Sequence, residues 1–400
     1  MTQSELKVPA GFLFSATTAG IKASGKPDLA LIEAPNGAAA AAVFTKNLVV
    51  AAPVNVGKSH LSQSGNNIRA ILVNAGNANC ATGKPGLAAC EKSCKALATA
   101  LKAKPRQVIP SSTGVIGVPL PVHKLISGIP QLLRNRGNSE RHVMGFAHAI
   151  MTTDTRPKVS ASEITLNGRT ANLLGIAKGA GMIHPNMATM LCYIVTDVQG
   201  TAKQLNALLK ESADQTFNRI SIDGDTSTND TLCLLASGQS DLNLDKRRVR
   251  DAFLMSLYEV CASLAEQIVA DGEGVQHVVA LKIEGARSEK EADVIARTIA
   301  HSPLVKTAWA GADPNWGRVL AAIGRSGIVL DPSKVDIDFG EIAVCRRGTA
   351  VKFDEQAAHE YLRQRDIEIT VRLGRGKQML SFLTCDLTTD YVHINADYHT

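Results

Sequence analysis

Short runs of apolar residues recur along the chain and constrain its fold more than any other feature. A nearly continuous apolar run of four to six residues is typical of a strand buried on both faces. Such runs lie at 70–73, 192–195, 232–236 and 278–283. By contrast, residues 335–339 and 367–373 alternate between apolar and polar side chains, as strands with one solvated face do. The sequence therefore predicts sheets that differ in burial.

Helical patterns lie between these strands. Apolar residues recur every three or four positions in 205–209 and in 249–268, which is the spacing of one helix face. A further helix is predicted from Ser288, because residues 288–291 have the form of a capping box. The fold class is thus predicted to be α/β or α+β. The change in strand pattern places a domain boundary near residue 280, which divides the chain into residues 1–280 and 281–400.

The composition favours a small-molecule partner. With 400 residues, 45% of them hydrophobic, the chain exceeds what one core usually holds. A net charge of +6 and an aromatic content of 4% are too low to predict a nucleic-acid surface. The eight cysteines lack the paired spacing of a zinc site, so no metal is expected. No apolar stretch reaches the roughly 18 residues of a membrane span, and the protein is expected to be cytoplasmic and free of the membrane.

One threonine is a candidate nucleophile. Residues 179–191 read GAGMIHPNMATML, in which Thr189 follows a small alanine and precedes an apolar run. A threonine hydroxyl needs a neighbouring base, and cleavage between Ala188 and Thr189 would supply one as the new α-amino group. The pKa of such a group is about 7.7–8.0, so part of it is unprotonated at neutral pH. From spacing alone, the simpler interpretation is that Thr189 only begins the strand at 190–195.

Six motifs, taken in order, resemble those of a known family. They are SSTGVIG at 111–117, MTTDT at 151–155, KGAGM at 178–182, HPNMATML at 184–191, DGDTSTND at 223–230 and DPNWGR at 313–318. With these motifs the chain resembles the ornithine acetyltransferase (glutamate N-acetyltransferase) family of arginine biosynthesis over nearly its whole length. The joint occurrence of the motifs favours the nucleophile interpretation of Thr189.

The resemblance implies a fold and a maturation step. The implied fold is a layered αββα sandwich that carries Thr189 on a central strand, with a smaller α/β domain in the C-terminal third. The implied step is autocatalytic cleavage between Ala188 and Thr189. Chains 1–188 and 189–400 would stay associated, and two such units would form a dimer.

The resemblance also implies the other site residues. Thr113 and Gly114 would form an oxyanion hole, because a hydroxyl and a backbone N–H can both donate to an oxygen that becomes negative. An amino-acid substrate needs a cation for its carboxylate and an acceptor for its ammonium. The residues that match the family's substrate-binding positions are Thr152, Lys178, Thr189, Glu273, Asn395 and Thr400. Because Thr400 ends the chain, the C-terminal tail is expected to fold over the site.

The implied activity is transfer of an acetyl group from N-acetylornithine to glutamate through an acetyl-enzyme, with no cofactor. Two alternatives stay open. One is an amidohydrolase or aminopeptidase with an N-terminal nucleophile, in which water is the acceptor, and the other is a binding protein without catalysis. The sequence has no separable coenzyme A motif, so use of acetyl-CoA as a second donor is also left open.

Three further features are predicted to be structural. Residues 223–230 resemble a calcium loop in composition, but Leu234 stands where glutamate closes such a loop, so a hydrogen-bonded loop near the active site is expected. In 313–318, Pro314 is expected to fix a turn and Gly317 to permit a close approach. His184 is expected to be structural because Pro185 favours a turn.

Overall fold

The computed structural model describes residues 6–184 and 190–397, so Ala188, Thr189 and Thr400 lie outside the described residues. Two mixed sheets organise the described chain. The strands of the first sheet are β1 Leu13–Thr17, β2 Leu29–Phe44, β3 Asn67–Asn77, β4 Val108–Val115, β5 Lys158–Leu166, β6 Arg169–Lys178, β7 Leu191–Thr196 and β8 Thr231–Ala236. Their order is β4-β3-β2-β8-β7-β6-β5, with β1 paired to β2.

The second sheet is built from later residues. Its strands are β9 Val278–Ala286, β10 Asp336–Phe339, β11 Ile342–Arg346, β12 Thr349–Ala350, β13 Asp366–Arg372 and β14 Gln378–Cys385, in the order β12-β11-β10-β13-β9-β14. The buried residues of its core all lie between Val279 and Phe382. Since β9 belongs to this sheet over its whole length, the sheet begins at Val278. The division into domains at residue 280 stays a prediction.

Eleven α-helices accompany these sheets in the described part of the chain. Those associated with the first sheet are α1 Ala52–Gln63, α2 Gly83–Ala100, α3 Val122–Arg134, α4 Glu140–Ile150, α5 Ala202–Gln215 and α6 Arg247–Ala270. The later ones are α7 Glu289–Ala300, α8 Pro303–Ala310, α9 Trp316–Gly324, α10 Glu355–Leu362 and α11 Thr389–Ala396.

Strand β2 joins two halves of the first sheet. Its first part pairs with β1 and β3, and its last part pairs with β8. The register with β3 shifts between Glu33 and Ala38. This interval contains Pro35, which has no N–H to donate, and Gly37, whose φ is +82°. The local sequence therefore breaks the ladder where the strand passes from one half of the sheet to the other.

The apolar clusters show that the two halves are stacked. One cluster lies between them and joins residues of β1 to β4, such as Phe14, with residues of β6 to β8, such as Tyr193, and with α4. A second cluster packs α5 and α6 on the outer face of β6 to β8. A third packs α1, α2 and α3 on the outer face of β2 to β4. The layers are thus helix, sheet, sheet and helix, and the predicted αββα sandwich is confirmed.

Helix α6 is the one helix of the described chain that is long and apolar enough to cross a membrane. Half of its apolar window is buried, and Phe253 and Leu264 lie in the core against the first sheet. A Cβ on Gly175 of β6 would lie 2.7 Å from Leu264 and Val260 side-chain atoms, so helix and strand are in close contact. This packing is that of a core helix.

Two local predictions have mixed outcomes. Ser288 caps α7 by accepting from the Glu291 N–H at 3.1 Å, as expected, but the Glu291 carboxylate accepts from the Arg287 N–H at 3.4 Å rather than from Ser288. The prediction for Gly317 is wrong. It lies in α9, where an added Cβ would meet only Asn315 Oδ1, at 3.7 Å, so no close approach requires glycine.

Candidate active site

A cavity opens at the edge of the first sheet where β4 and β6 end and β7 begins. It is lined by every predicted site residue that the structure describes, namely Thr113, Gly114, Thr152, Lys178, Glu273 and Asn395. Met190 and Leu191, the two residues that follow Thr189, line it as well. Residues separated by up to 282 positions in sequence are therefore brought to one place.

The strand register explains this convergence. Strand β6 is antiparallel to β7 and pairs Lys178 with Leu191, while β8 is parallel to β7 and pairs Thr231 with Leu191. The Thr231 N–H also donates to the Met190 carbonyl at 3.0 Å. The chain that follows Thr189 is thus held on both sides at the cavity.

Thr113 and Gly114 form the wall opposite the start of β7. The Lys178 ammonium donates to Thr113 Oγ1 at 3.0 Å. Because an ammonium can only donate, the Thr113 oxygen is the acceptor and its own hydroxyl proton is left for another partner. Gly114 has a φ of +131°, and a Cβ there would lie 2.3 Å from the carbonyl carbon of Gly76. This position therefore requires glycine.

A buried ionic network of Asp154, Lys158 and Asp271 lies next to Lys178. Asp154 accepts from the N–H groups of Thr152 at 3.0 Å and Gly179 at 2.6 Å, and from the Lys158 ammonium at 2.7 Å. Lys158, only 1% exposed, also pairs with Asp271 at 2.6 Å. No sequence pattern marked Lys158 or Asp271, whereas Asp154 lies within the MTTDT motif.

The electrostatics of this network follow from burial and charge. Burial lowers the pKa of the Lys178 ammonium, and nearby carboxylates such as Asp154 oppose that effect. Burial raises the pKa of Asp154, whereas the neighbouring positive charges lower it. The charges of Lys178 and Lys158, with hydrogen bonds from the Lys158 ammonium and the Thr152 N–H, outweigh burial and lower the Asp154 pKa to about 2.

The C-terminal tail reaches the cavity through α11. Asn395 donates from Nδ2 to Glu273 Oε2 at 2.8 Å. Glu273 is fixed by a bond from its N–H to the Ala180 carbonyl at 2.9 Å, and its carboxylate packs against Gly181, where a Cβ would lie 2.4 Å from Oε2. The structure thus places Asn395 at the cavity, while Thr400 lies beyond the described part of the chain.

The 223–230 loop is hydrogen-bonded at the cavity, as expected. The Asp223 carboxylate accepts from the N–H groups of Met182 at 2.6 Å and Ile183 at 3.0 Å. Asn229 Nδ2 donates to the Ala78 carbonyl at 2.6 Å and to the Ser112 carbonyl at 2.9 Å. The loop thus holds both the chain before residues 185–189 and the strand that carries Thr113.

His184 packs against His301, the residue that follows α7. Its ring lies 4.3 Å from that of His301, centroid to centroid, in an edge-to-face arrangement. Burial and the Arg297 charge lower the His184 pKa to about 4. The ring is therefore neutral at pH 7, and its packing agrees with the expected structural role. Within the described residues, no group of three or more His, Cys, Asp or Glu side chains is placed to hold a metal ion.

Comparison with known proteins decides the family. The model of the ArgJ family matches residues 13–400. The chain belongs to the ArgJ family. The arginine biosynthesis bifunctional protein ArgJ of Methylococcus capsulatus is 45% identical over 395 residues, which cover 98% of this chain and 96% of that protein. The protein of the same name from Pseudomonas fluorescens is 42% identical over 396 residues, with coverage of 98% and 96%.

The chain is also similar to part of a solved structure. The ornithine acetyltransferase of Mycobacterium tuberculosis, crystallised in complex with ornithine, is 36% identical to this chain. The match covers 47% of this chain and 98% of that chain, with a TM-score of 0.41.

Proposed function

We propose that this ArgJ-family protein transfers the acetyl group of N-acetylornithine to glutamate in arginine biosynthesis. The names of its relatives, arginine biosynthesis bifunctional proteins, support this pathway. One observation carries the proposal: Thr113, Gly114 and Lys178 line one cavity with Met190, the residue after Thr189. A second donor, acetyl-CoA, would give N-acetylglutamate directly. Neither exchange requires a cofactor.

Thr189 is proposed as the nucleophile after cleavage between Ala188 and Thr189. The anchoring of the chain around this segment supports the assignment. Before it, Thr226 Oγ1 donates to the His184 carbonyl at 3.1 Å. After it, Thr231 holds the Met190 carbonyl. The new α-amino group would take the hydroxyl proton as Oγ attacks a carbonyl.

Acetyl transfer would then proceed in two half-reactions. Thr189 Oγ attacks the acetyl carbonyl, and the Thr113 hydroxyl and Gly114 N–H donate to the oxygen that becomes negative. Ornithine leaves, and the amine of glutamate attacks the resulting ester. Lys178 is suited to a substrate carboxylate, and Glu273 with Asn395 to an ammonium. Thr152 and Thr400 are proposed as further substrate contacts.

Cleavage would leave one molecule rather than two. Strand β6 precedes the cut, β7 and β8 follow it, and all three belong to one sheet. The backbone hydrogen bonds between residues 173–178 of β6 and strand β7 would hold chains 1–188 and 189–400 together. We also propose that two of these two-chain units form a dimer and that the protein is cytoplasmic.

Three measurements test this function. On a denaturing gel the 42.4 kDa chain should give fragments of about 20 and 22 kDa, whereas Thr189→Ala should stay whole. Incubation with N-acetylornithine alone should add about 42 Da, one acetyl group, to the C-terminal fragment, and initial rates should give parallel double-reciprocal lines. A wild-type chain that stays whole and still transfers acetyl would refute the nucleophile. Rapid acetate release without glutamate would favour the hydrolase alternative, and an intact chain without activity would favour a binding protein.

A further inference from the structure

We propose that Asp230 is the acid–base residue for the substrate nitrogen, giving a proton to the departing amine and taking one from the incoming amine. This inference rests on the proposed acetyl transfer. It adds a catalytic residue that neither the sequence motifs nor the oxyanion hole assigns.

The position of Asp230 carries the inference. It directly precedes β8, whose first residue, Thr231, holds the Met190 carbonyl. Asp230 is 1% exposed and lines the cavity together with Thr113 and Lys178. Its carboxyl group therefore lies beside the start of β7, where the reacting carbonyl would be bound.

The hydrogen bonding of Asp230 differs from that of the other acidic residues around the cavity. Both oxygens of Asp154 and both oxygens of Asp223 accept from backbone N–H groups or lysine. Among the described residues, by contrast, no group hydrogen-bonds Asp230 Oδ2. Buried polar oxygens nearly always have a partner, so an unpartnered one at a cavity indicates a ligand atom.

The surroundings favour the neutral acid. Burial raises the pKa of Asp230 well above its ordinary value, and the Ser227 hydroxyl and Lys178 charge only partly oppose this. A carboxylic acid kept neutral in this way can donate a proton at neutral pH.

The proton balance closes over the two half-reactions. In the first, the tetrahedral intermediate collapses, the C–N bond breaks, and the Asp230 carboxyl gives its proton to the nitrogen, so that ornithine leaves as a neutral amine. Asp230 is then a carboxylate. In the second, the neutral amine of glutamate attacks the acetyl ester, and the carboxylate takes a proton from the nitrogen as the new C–N bond forms. The ester C–O bond then breaks, and the Thr189 α-ammonium returns to Oγ the proton that the amine took in the first half-reaction. The acid is regenerated, and no other reactant is needed.

The test compares two acetyl donors on one enzyme preparation. N-Acetylornithine has an amine leaving group that must be protonated, whereas p-nitrophenyl acetate releases a phenolate that needs no proton. In Asp230→Asn, acetylation of the C-terminal fragment by N-acetylornithine should fall by about 10²–10⁴, the usual contribution of acid–base catalysis. Acetylation by the ester should stay near the wild-type rate. Because both rates come from one sample, partial misfolding would lower them equally.

A matched control is available at the residue that follows β14. Asp386 is also a buried carboxyl with a raised pKa and an Oδ2 that is unpartnered within the described chain, but it does not line the cavity. Asp386→Asn should keep the wild-type ratio of the two rates. Asp230→Glu should restore part of the rate with N-acetylornithine.

Each other outcome overturns the assignment of Asp230. Equal losses with both donors would mean that the residue is structural, and an unchanged rate with N-acetylornithine would mean that another group moves the proton. Failure of both Asp230 variants to cleave at 188/189 would place the residue in maturation instead. If the wild-type enzyme forms no acetyl adduct with either donor, the proposed function itself fails.

Discussion

Replacing Thr113 with alanine should slow acetyl transfer by about 10²–10³, or roughly 3–4 kcal/mol in barrier height. The structure supplies the reason, because Lys178 donates to Thr113 Oγ1 at 3.0 Å and so directs the hydroxyl proton elsewhere. A donor fixed in this way costs little reorganisation when the oxyanion forms. Thr113→Ser keeps the hydroxyl and should retain most of the activity.

Thr113→Ala should affect the stability of the fold less than it affects the rate of acetyl transfer. It removes the hydrogen bond that Lys178 makes to Thr113, and a half-buried ammonium without that partner costs about 1–3 kcal/mol. The free energy of unfolding should fall by about that amount, which leaves the variant folded. The rate can therefore be measured on a native preparation.

A double-mutant cycle separates two roles of Lys178. Lys178→Met keeps the length of the side chain and removes its charge. If Lys178 acts by orienting the Thr113 hydroxyl, the double variant with Thr113→Ala should be little slower than the slower single variant. If Lys178 only binds a substrate carboxylate, the two losses should add, and that of Lys178→Met should appear mainly in KM.

The assay is the rate at which the C-terminal fragment gains an acetyl group from N-acetylornithine, followed by quenching and mass spectrometry. It isolates the first half-reaction from acceptor binding. A Thr113→Ala enzyme that is cleaved, folded and acetylated at the wild-type rate would refute the oxyanion-hole role, whatever the behaviour of Lys178.

Three further predictions concern residues that line the cavity or support its lining. Glu273→Gln should lower kcat/KM by about ten- to a hundredfold, and so should deletion of residues 395–400, because each change removes a polar contact at the substrate. Neither change should prevent cleavage. Wild-type kinetics in the deletion variant would show that the tail does not contribute to substrate binding. The folded pKa of Asp154, about 2, is below its ordinary 3.8, so its ionised form stabilises the fold above about pH 4 and that stability is lost as the pH falls through 2. Asp154→Asn should therefore reduce the loss of unfolding free energy between pH 5 and 2 by about 2 kcal/mol in urea titrations, and an unchanged loss would contradict the network. Gly114→Ala should both destabilise the protein and abolish acetylation, since its Cβ would collide with Gly76; normal activity would show that the strands can separate there.

The sequence predicted the residues that line the cavity better than the buried ion pairs behind them. Motif resemblance selected Thr113, Lys178 and Glu273 individually, and the fold places them around one cavity. No pattern predicted that Lys158 would pair with Asp271, 113 positions later. A buried ion pair has no periodicity, because each partner stands alone in its own strand or loop, and only the tertiary fold brings them together.

The strand patterns predicted burial in the first sheet but not the stacking of that sheet on itself. They were wrong for 278–283, where Ala280 and Lys282 are only partly buried because one face of β9 is not covered there. Runs such as 192–195 read correctly as buried on both faces. The passage of β2 from one half-sheet to the other depends on Pro35 and Gly37, which from sequence alone look like an ordinary turn. The alternation of β13 was predicted correctly for Glu368 and Arg372, which are partly exposed, but not for Thr370, which is buried.

The 223–230 loop connects maturation with catalysis. Asp223 holds the chain that leads into residues 185–189, and Asn229 holds Ser112, next to Thr113. At its end, Asp230 lines the cavity and Thr231 holds Met190. Any shift of this loop would move the proposed cleavage segment, the proposed oxyanion donor and the start of β7 together. A loop with calcium-like composition is thus explained without a cation, because the hydrogen bonds of Asp223 and Asn229 go to backbone groups of the elements that form the site.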